Sequence, residues 1–223
     1  MKKRIVKIML IVLIIFLAIV IVAVIALLND KNRTAHLNND YSAVFSEEKY
    51  HDPVNVSGVE VITQDVSCGY AVIEMFSGWC GKNITEKTLY EEYGKVVTST
   101  GKRFCEEMNK QFPEYTTTMH KNLTNTELLD TVYECLKNGI PVPIEWAAPH
   151  DGAWTLHYSL VTGMDIPGDK ITVANPYGYY EEVSVDEFLS RTRFDAYENM
   201  SLFLKLGFAF GIFEKNTVFG VED

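Results

Sequence analysis

From Ile8 to Leu28 the chain runs for 21 residues without a charged or strongly polar side chain. As a helix rising 1.5 Å per residue this run is about 31 Å long, against a bilayer hydrocarbon core of roughly 30 Å. A chain that carries such a segment does not fold as a wholly soluble globule, and one membrane pass over 8–28 is predicted. Lys2, Lys3, Arg4 and Lys7 precede the run. By the positive-inside bias, residues 1–7 lie in the cytoplasm and everything after Leu28 faces outward. A cleavable signal peptide is the competing reading, but its apolar region usually spans roughly 7 to 15 residues. The run here is longer, and its end, Ala23 to Leu28, offers only a poor small-residue cleavage site.

Charge divides at the same place. The net charge is -10, and removing the four leading cations from the 20 basic residues leaves 16 against 30 acidic ones, or -14 beyond the run. An acidic body argues against nucleic acid or an anionic lipid surface as its main partner. With 47% hydrophobic residues the chain has the means to bury a core. Four cysteines, Cys68, Cys80, Cys105 and Cys135, are too few for a disulfide scaffold. A bridge from Cys80 to Cys105 or Cys135 is conceivable on the outside, although plain thiols are favoured. No Cys-x-x-Cys pair or histidine cluster occurs at metal-ligand spacing, and no metal or other cofactor is expected.

Residues 29–55 are polar and aperiodic and read as an extracellular stalk, followed by one domain over 56–223. Val59–Thr63 alternates weakly, as a short edge strand would. Helices are predicted from Cys68 or Gly69 for about ten residues with Ser67 as cap, over Thr85–Tyr93, Gly101–Phe112 and Thr124–Lys137 with Thr126 as a possible cap. Ile140–Trp146, Thr155–Gly163, Lys170–Ala174 and Thr217–Val221 read as strands. Helices first and sheet second is the α+β order, a helical first half packed on an antiparallel sheet. Met200–Phe213, apolar except for Lys205, is too short to span a bilayer as a helix, so buried packing is expected.

The chemistry centres on Gln64-Asp65-Val66-Ser67-Cys68-Gly69-Tyr70-Ala71. A thiol in the first turn of a helix feels the positive dipole end and free N–H groups, both of which favour thiolate. Gly69 leaves the sulfur open, and the Gln64 amide is able to face a developing oxyanion. Of five histidines, His157 is the one within a β-rich run, where neighbouring strands fix a ring. The turn at Asp165–Asp169 pairs residues whose numbers sum to about 332 to 335, and His157 with Asn175 gives 332. An orienting amide behind an imidazole behind a thiol is the logic of an activated nucleophile.

QDVSCGYA, LHYSLVTGMD and NPYG resemble the bacteriocin-processing, double-glycine-leader cysteine peptidases (peptidase family C thirty-nine) and their stand-alone relatives, within the papain-like group. IPVPIEW and the DEFLSR stretch from Asp186 to Arg191 extend the similarity over roughly 59–215. The resemblance implies a papain-like fold, with Cys68 as nucleophile, His157 as general base and later acid, Asn175 as orienter and Gln64 as oxyanion donor. In that family the third member is commonly Asp, and Asn is the papain-type choice. Gln64 stands closer to its cysteine than is usual for papain-like enzymes, which makes its role the least secured of the four. The function so implied is a membrane-anchored extracellular cysteine peptidase acting on a peptide or protein substrate, with no nucleic acid partner. Two alternatives use the same frame: an acyltransferase with a non-water acceptor, and a catalytically inactive surface binding domain.

Overall fold

The computed structural model describes residues 2–94, 98–195 and 199–223, with side chains from residue 4 onward. Lys2 and Lys3, two of the four leading cations, therefore have side chains outside the described set. One helix, α1 (Lys2–Thr34), is long and apolar enough to cross a membrane. It runs past the apolar segment because nothing in Asn29–Thr34 breaks it, and its last turns carry Lys31 and Arg33 near the negative dipole end.

The segment expected to be a free stalk packs against the domain instead. Leu37, Val44 and Tyr50 are buried, and Val44 and Tyr50 belong to the same apolar cluster as Leu128, Val132 and Trp146. Asn125 Nδ2 donates to Asn38 Oδ1 and to the Asn39 carbonyl at 3.0 and 2.9 Å. Polar composition pointed to a linker, but a few apolar side chains spaced along 37–50 are enough to fasten it. Asp30, itself buried, accepts from Arg33 at 2.8 Å and pairs with Lys215 at 3.1 Å, tying the end of α1 to the C-terminal part of the chain.

A seven-stranded antiparallel sheet forms the centre: β1 (Val54–Asn55), β2 (Thr116–His120), β3 (Val142–His150), β4 (Ala153–Asp165), β5 (Lys170–Asn175), β6 (Tyr179–Val183) and β7 (Thr217–Glu222). Its order is β2-β7-β3-β4-β5-β6, and β1 pairs with β4. Helices cover both faces. On one, α2 (Cys68–Trp79) and α4 (Gly101–Gln111) bury Val72, Phe76, Phe104 and Met108 against Tyr158, Leu160, Ala174 and Phe219. On the other, α5 (Asn125–Lys137) and α6 (Val185–Thr192) bury Leu129, Val132, Phe188 and Leu189 against Ile144, Trp146, Val161 and Val173. The α+β expectation holds, with the addition that the sheet lies between two helical layers. Short α3 (Glu86–Tyr93) flanks α2, and α7 (Leu202–Ala209) lies beside α1.

Several local expectations differ from the structure. Val59–Thr63 forms no strand, only a bridge from Thr63 to Tyr177. The cap of α5 is Thr124, in a capping box with Glu127, and not Thr126. Met200–Phe213 is not buried throughout: Gly207 and Phe208 are, whereas Leu202, Phe203, Phe210 and Ile212 are more than half exposed. All four cysteines are free thiols.

Candidate active site

Cys68 is the first residue of α2. Ser67 caps the helix, its Oγ accepting from the Tyr70 N–H at 3.3 Å. The loop before it is held by one buried carboxylate. Glu86, at the start of α3, accepts from the backbone N–H groups of Asp65, Val66 and Ser67 at 2.6, 3.3 and 3.0 Å. Gly69 serves a purpose other than the one expected of it. It is buried, and a Cβ there would lie 2.5 Å from Thr98 Cβ, so glycine permits Thr98 to close over the turn. At Gly178, φ is +92° and a Cβ would collide with the Thr63 hydroxyl. The Gln64 N–H donates to the Pro176 carbonyl at 2.7 Å, and this clamps the cysteine loop to the segment after β5.

The β4–β5 ladder ends at Leu160 and Ala174, after a register shift between Val161 and Gly163. Beyond that point the Tyr158 N–H points at the Cys68 sulfur. Strand amides lie in the plane of their sheet, so the sulfur meets β4 at backbone level, one residue from His157. Extending the register sets Ser159 opposite Asn175, which makes His157 and Asn175 diagonal neighbours on one face. His157 Nε2 lies 3.0 Å from Asn175 Oδ1. Asn175 Nδ2 donates to Glu181 Oε2 at 2.7 Å, and its Oδ1 also accepts from the Tyr177 N–H at 3.0 Å.

This pattern fixes the tautomer. Because the amide NH2 faces a carboxylate, its oxygen faces the ring, and the ring nitrogen there is the N–H. Nδ1 then carries the lone pair. Glu181 is in turn held by Arg191, whose Nη1 reaches Oε1 at 2.5 Å. The guanidinium lies 3.4 Å from the Trp146 ring centroid and donates to the Ala147 carbonyl at 2.8 Å. The Tyr177 ring stacks on His157 with centroids 4.4 Å apart and leaves the histidine 2% exposed.

Burial dominates the electrostatics. It pushes the Cys68 thiol up to about 11, outweighing the N–H groups of Tyr158, Gly69 and Cys68 that favour the thiolate. The dipole argument from sequence alone expected the opposite direction, because sequence does not reveal that the thiol is desolvated against the β4 backbone at Tyr158. Burial likewise lowers His157 to about 4, despite the Asn175 hydrogen bond. At neutral pH the resting pair is an uncharged thiol and an uncharged imidazole. Glu145, opposite Tyr158 on β3, is raised to about 8, by burial first and Glu214 second. It is 1% exposed, and neither carboxyl oxygen has a hydrogen-bond partner among the described residues.

Of the four residues singled out in the sequence, His157 and Asn175 are joined directly and Cys68 lies beside the next strand residue. Gln64 is anchored nearby through its backbone, while its side-chain Oε1 is buried without a hydrogen-bond partner among the described residues. Sequence reading missed Glu86 and Glu181 as parts of the site, and Tyr177 stood within NPYG without an assigned role. Arg191 stood within the DEFLSR motif but without a role.

Residues 54–202 match the model of the Peptidase_C39 like family. The chain belongs to this family. Among solved structures it is similar to a double glycine motif protease from an AMS/PCAT transporter in complex with the leader peptide. Identity is 14% and the TM-score 0.42, over 61% of this chain and 88% of that one. No curated protein matches the chain.

Proposed function

We propose that this member of the peptidase family is a cysteine peptidase anchored by α1, with its catalytic domain over roughly 56–223 on the outer side of the membrane. Residues 1–7 would remain in the cytoplasm and 8–28 would span the bilayer. Cys68 is the nucleophile, His157 the general base and then acid, Asn175 the orienter, and Gln64 a donor to the oxyanion. The observation that carries this reading is the amide of Asn175. Held between Glu181 and the imidazole, it presents His157 with a basic Nδ1 on the strand that also supplies the Cys68 sulfur with an amide.

In the first step the Cys68 sulfur bonds to a peptide carbonyl carbon while its proton passes to His157 Nδ1, and the carbonyl π electrons move to oxygen. The C–N bond then breaks as His157 returns the proton to the leaving amine, which leaves a thioester. His157 next takes a proton from water, whose oxygen displaces the sulfur, and the thiol and a carboxylic acid result. Starting from a neutral pair, attack and proton transfer proceed together, so the step needs no standing thiolate. A peptide substrate agrees with the leader peptide held by the similar double glycine motif protease.

The test is cleavage of a peptide library by the full chain in detergent, compared with Cys68→Ala and His157→Ala. Hydrolysis lost in both variants supports the proposal. Cleavage that survives Cys68→Ala removes it. The uncharged resting pair and the burial of His157 favour a second reading, a catalytically silent binding domain, which predicts no turnover in any form. An acyltransferase would instead yield products joined to an added amine or thiol.

A further inference from the structure

Exposed apolar side chains gather at one place outside α1. Leu202, Phe203, Phe210 and Ile212 are each more than half exposed, with Phe203 at 76%. A patch of this kind on a folded domain marks a surface that meets another phase or partner. Its position relative to α1 says which. Along α1, Asp30 is buried and Ala23, Ala26, Leu27 and Thr34 are half-buried, a spacing that defines one helical face, while the residues around them are exposed. The segment packed on that face is α7, and Arg33 Nη2 donates to the Phe208 carbonyl at 3.1 Å.

Ala23 lies five residues inside Leu28, about 7.5 Å along the helix. Contact between α7 and α1 thus begins below the outer end of the apolar run and ends above it. Interfacial helices bury their apolar face by roughly 5 to 10 Å at the boundary between headgroups and acyl chains. Below α7 a groove of about 400 Å³ runs between Leu206 and Phe210 on one side and α1 from Ile15 to Ala23 on the other. Its walls are wholly hydrocarbon, as an acyl chain requires. Just beyond Leu28, at headgroup height, Asp30 pairs with Arg33 inside α1 and with Lys215 beyond α7, and Arg33 in turn ties α1 to α7 through the Phe208 carbonyl.

We propose that residues 202–212 are inserted into the outer leaflet, so that the domain rests on the bilayer beside its own anchor and does not stand off from it. The occupant of the apolar face is lipid hydrocarbon, continuous with the lipid around α1. The inference rests on α1 spanning the membrane. It adds that the catalytic domain has a fixed height and a fixed face toward the lipid. Substrates held at the membrane surface then reach Cys68 and His157 without crossing a stalk.

The test places a photoreactive benzoylphenylalanine at Phe203, Phe210, Ile14 or Tyr90 of the full chain in vesicles of phosphatidylethanolamine and phosphatidylglycerol. Lipid adducts are read by mass spectrometry. Ile14 reports the anchor, and Tyr90, exposed on α3, reports the solvated surface. Insertion predicts acyl-chain adducts at Ile14, Phe203 and Phe210 at least ten times the yield at Tyr90. Adducts at Ile14 with Phe203 and Phe210 at the Tyr90 level overturn the inference while the anchor stands, as do crosslinks from Phe203 or Phe210 to a second copy or to another protein. If Ile14 gives no adduct the anchor reading fails. The inference, which rests on that anchor, then falls with it, whatever the yield at Phe203 and Phe210.

Discussion

The choice of Asn rather than Asp behind His157 follows from what stands behind Asn175. Its Nδ2 donates to Glu181 at 2.7 Å, a position in which an Asp oxygen would face a second carboxylate. Two carboxylates so close do not both stay ionised, and the pair traps a proton. Asn175→Asp is therefore expected to lower both the melting temperature and kcat/KM. Asn175→Asp combined with Glu181→Gln restores both, because the glutamine supplies a donor where the carboxylate stood. A rate for the double variant no better than for Asn175→Asp would contradict this linkage. Removal of the base by His157→Ala is expected to reduce kcat/KM by about 100-fold or more, read on the same peptides.

At the scale of elements, α2 and the loop that feeds it depend on Glu86. Glu86→Ala leaves three loop N–H groups without their acceptor, at about 1–3 kcal/mol for each that stays buried. We expect a lower melting temperature, and a loss in kcat that exceeds any change in KM, since the nucleophile loses its support. Ser67→Ala removes only the cap and costs about 1 kcal/mol. Equal losses from the two changes would show that the carboxylate does no more than cap. The helices α2 and α3 were legible because their caps stand out at Ser67 and Thr85, and α5 was legible from its apolar periodicity although its cap was expected at Thr126 and lies at Thr124. By contrast β2 (TTTMH) and β6 (YYEEV) lie at the two ends of the sheet path, where half-solvated strands carry no apolar alternation to read. Hairpin arithmetic brought His157 near Asn175, but the register shift that makes them diagonal left no mark in sequence. Glu86 acts across the fold on backbone N–H groups, a contact that no local spacing encodes, whereas Glu181 is a near neighbour of Asn175 across the β5–β6 turn.

For the whole molecule, two buried groups, Glu145 on β3 and His157 on β4, give stability a defined pH dependence. His157 titrates at about 4 when folded and about 6.5 when unfolded, so its contribution is lost as pH falls through that interval. Glu145 titrates at about 8 when folded and about 4.3 when unfolded, so its contribution is present in acid and is lost as pH rises to 8. Each slope is about 1.4 kcal/mol per pH unit, and between roughly pH 4.3 and 6.5 they oppose one another. Melting temperature should be nearly level there and fall from about 6.5 to 8. In Glu145→Gln it should rise to about 6.5 and then stay level, and a parallel decline in both proteins would refute the assignment to Glu145. The anchored domain works as a peptidase only if Cys68 and His157 act together. The most direct measurement is peptide mapping of the full chain after exposure at pH 7 to tripeptidyl acyloxymethyl ketones, which need an assisted thiol to react. The account predicts labelling at Cys68, none at Cys80, Cys105 or Cys135, and a fall of about 100-fold in His157→Ala. Labelling that ignores His157, or an inert Cys68, would contradict it.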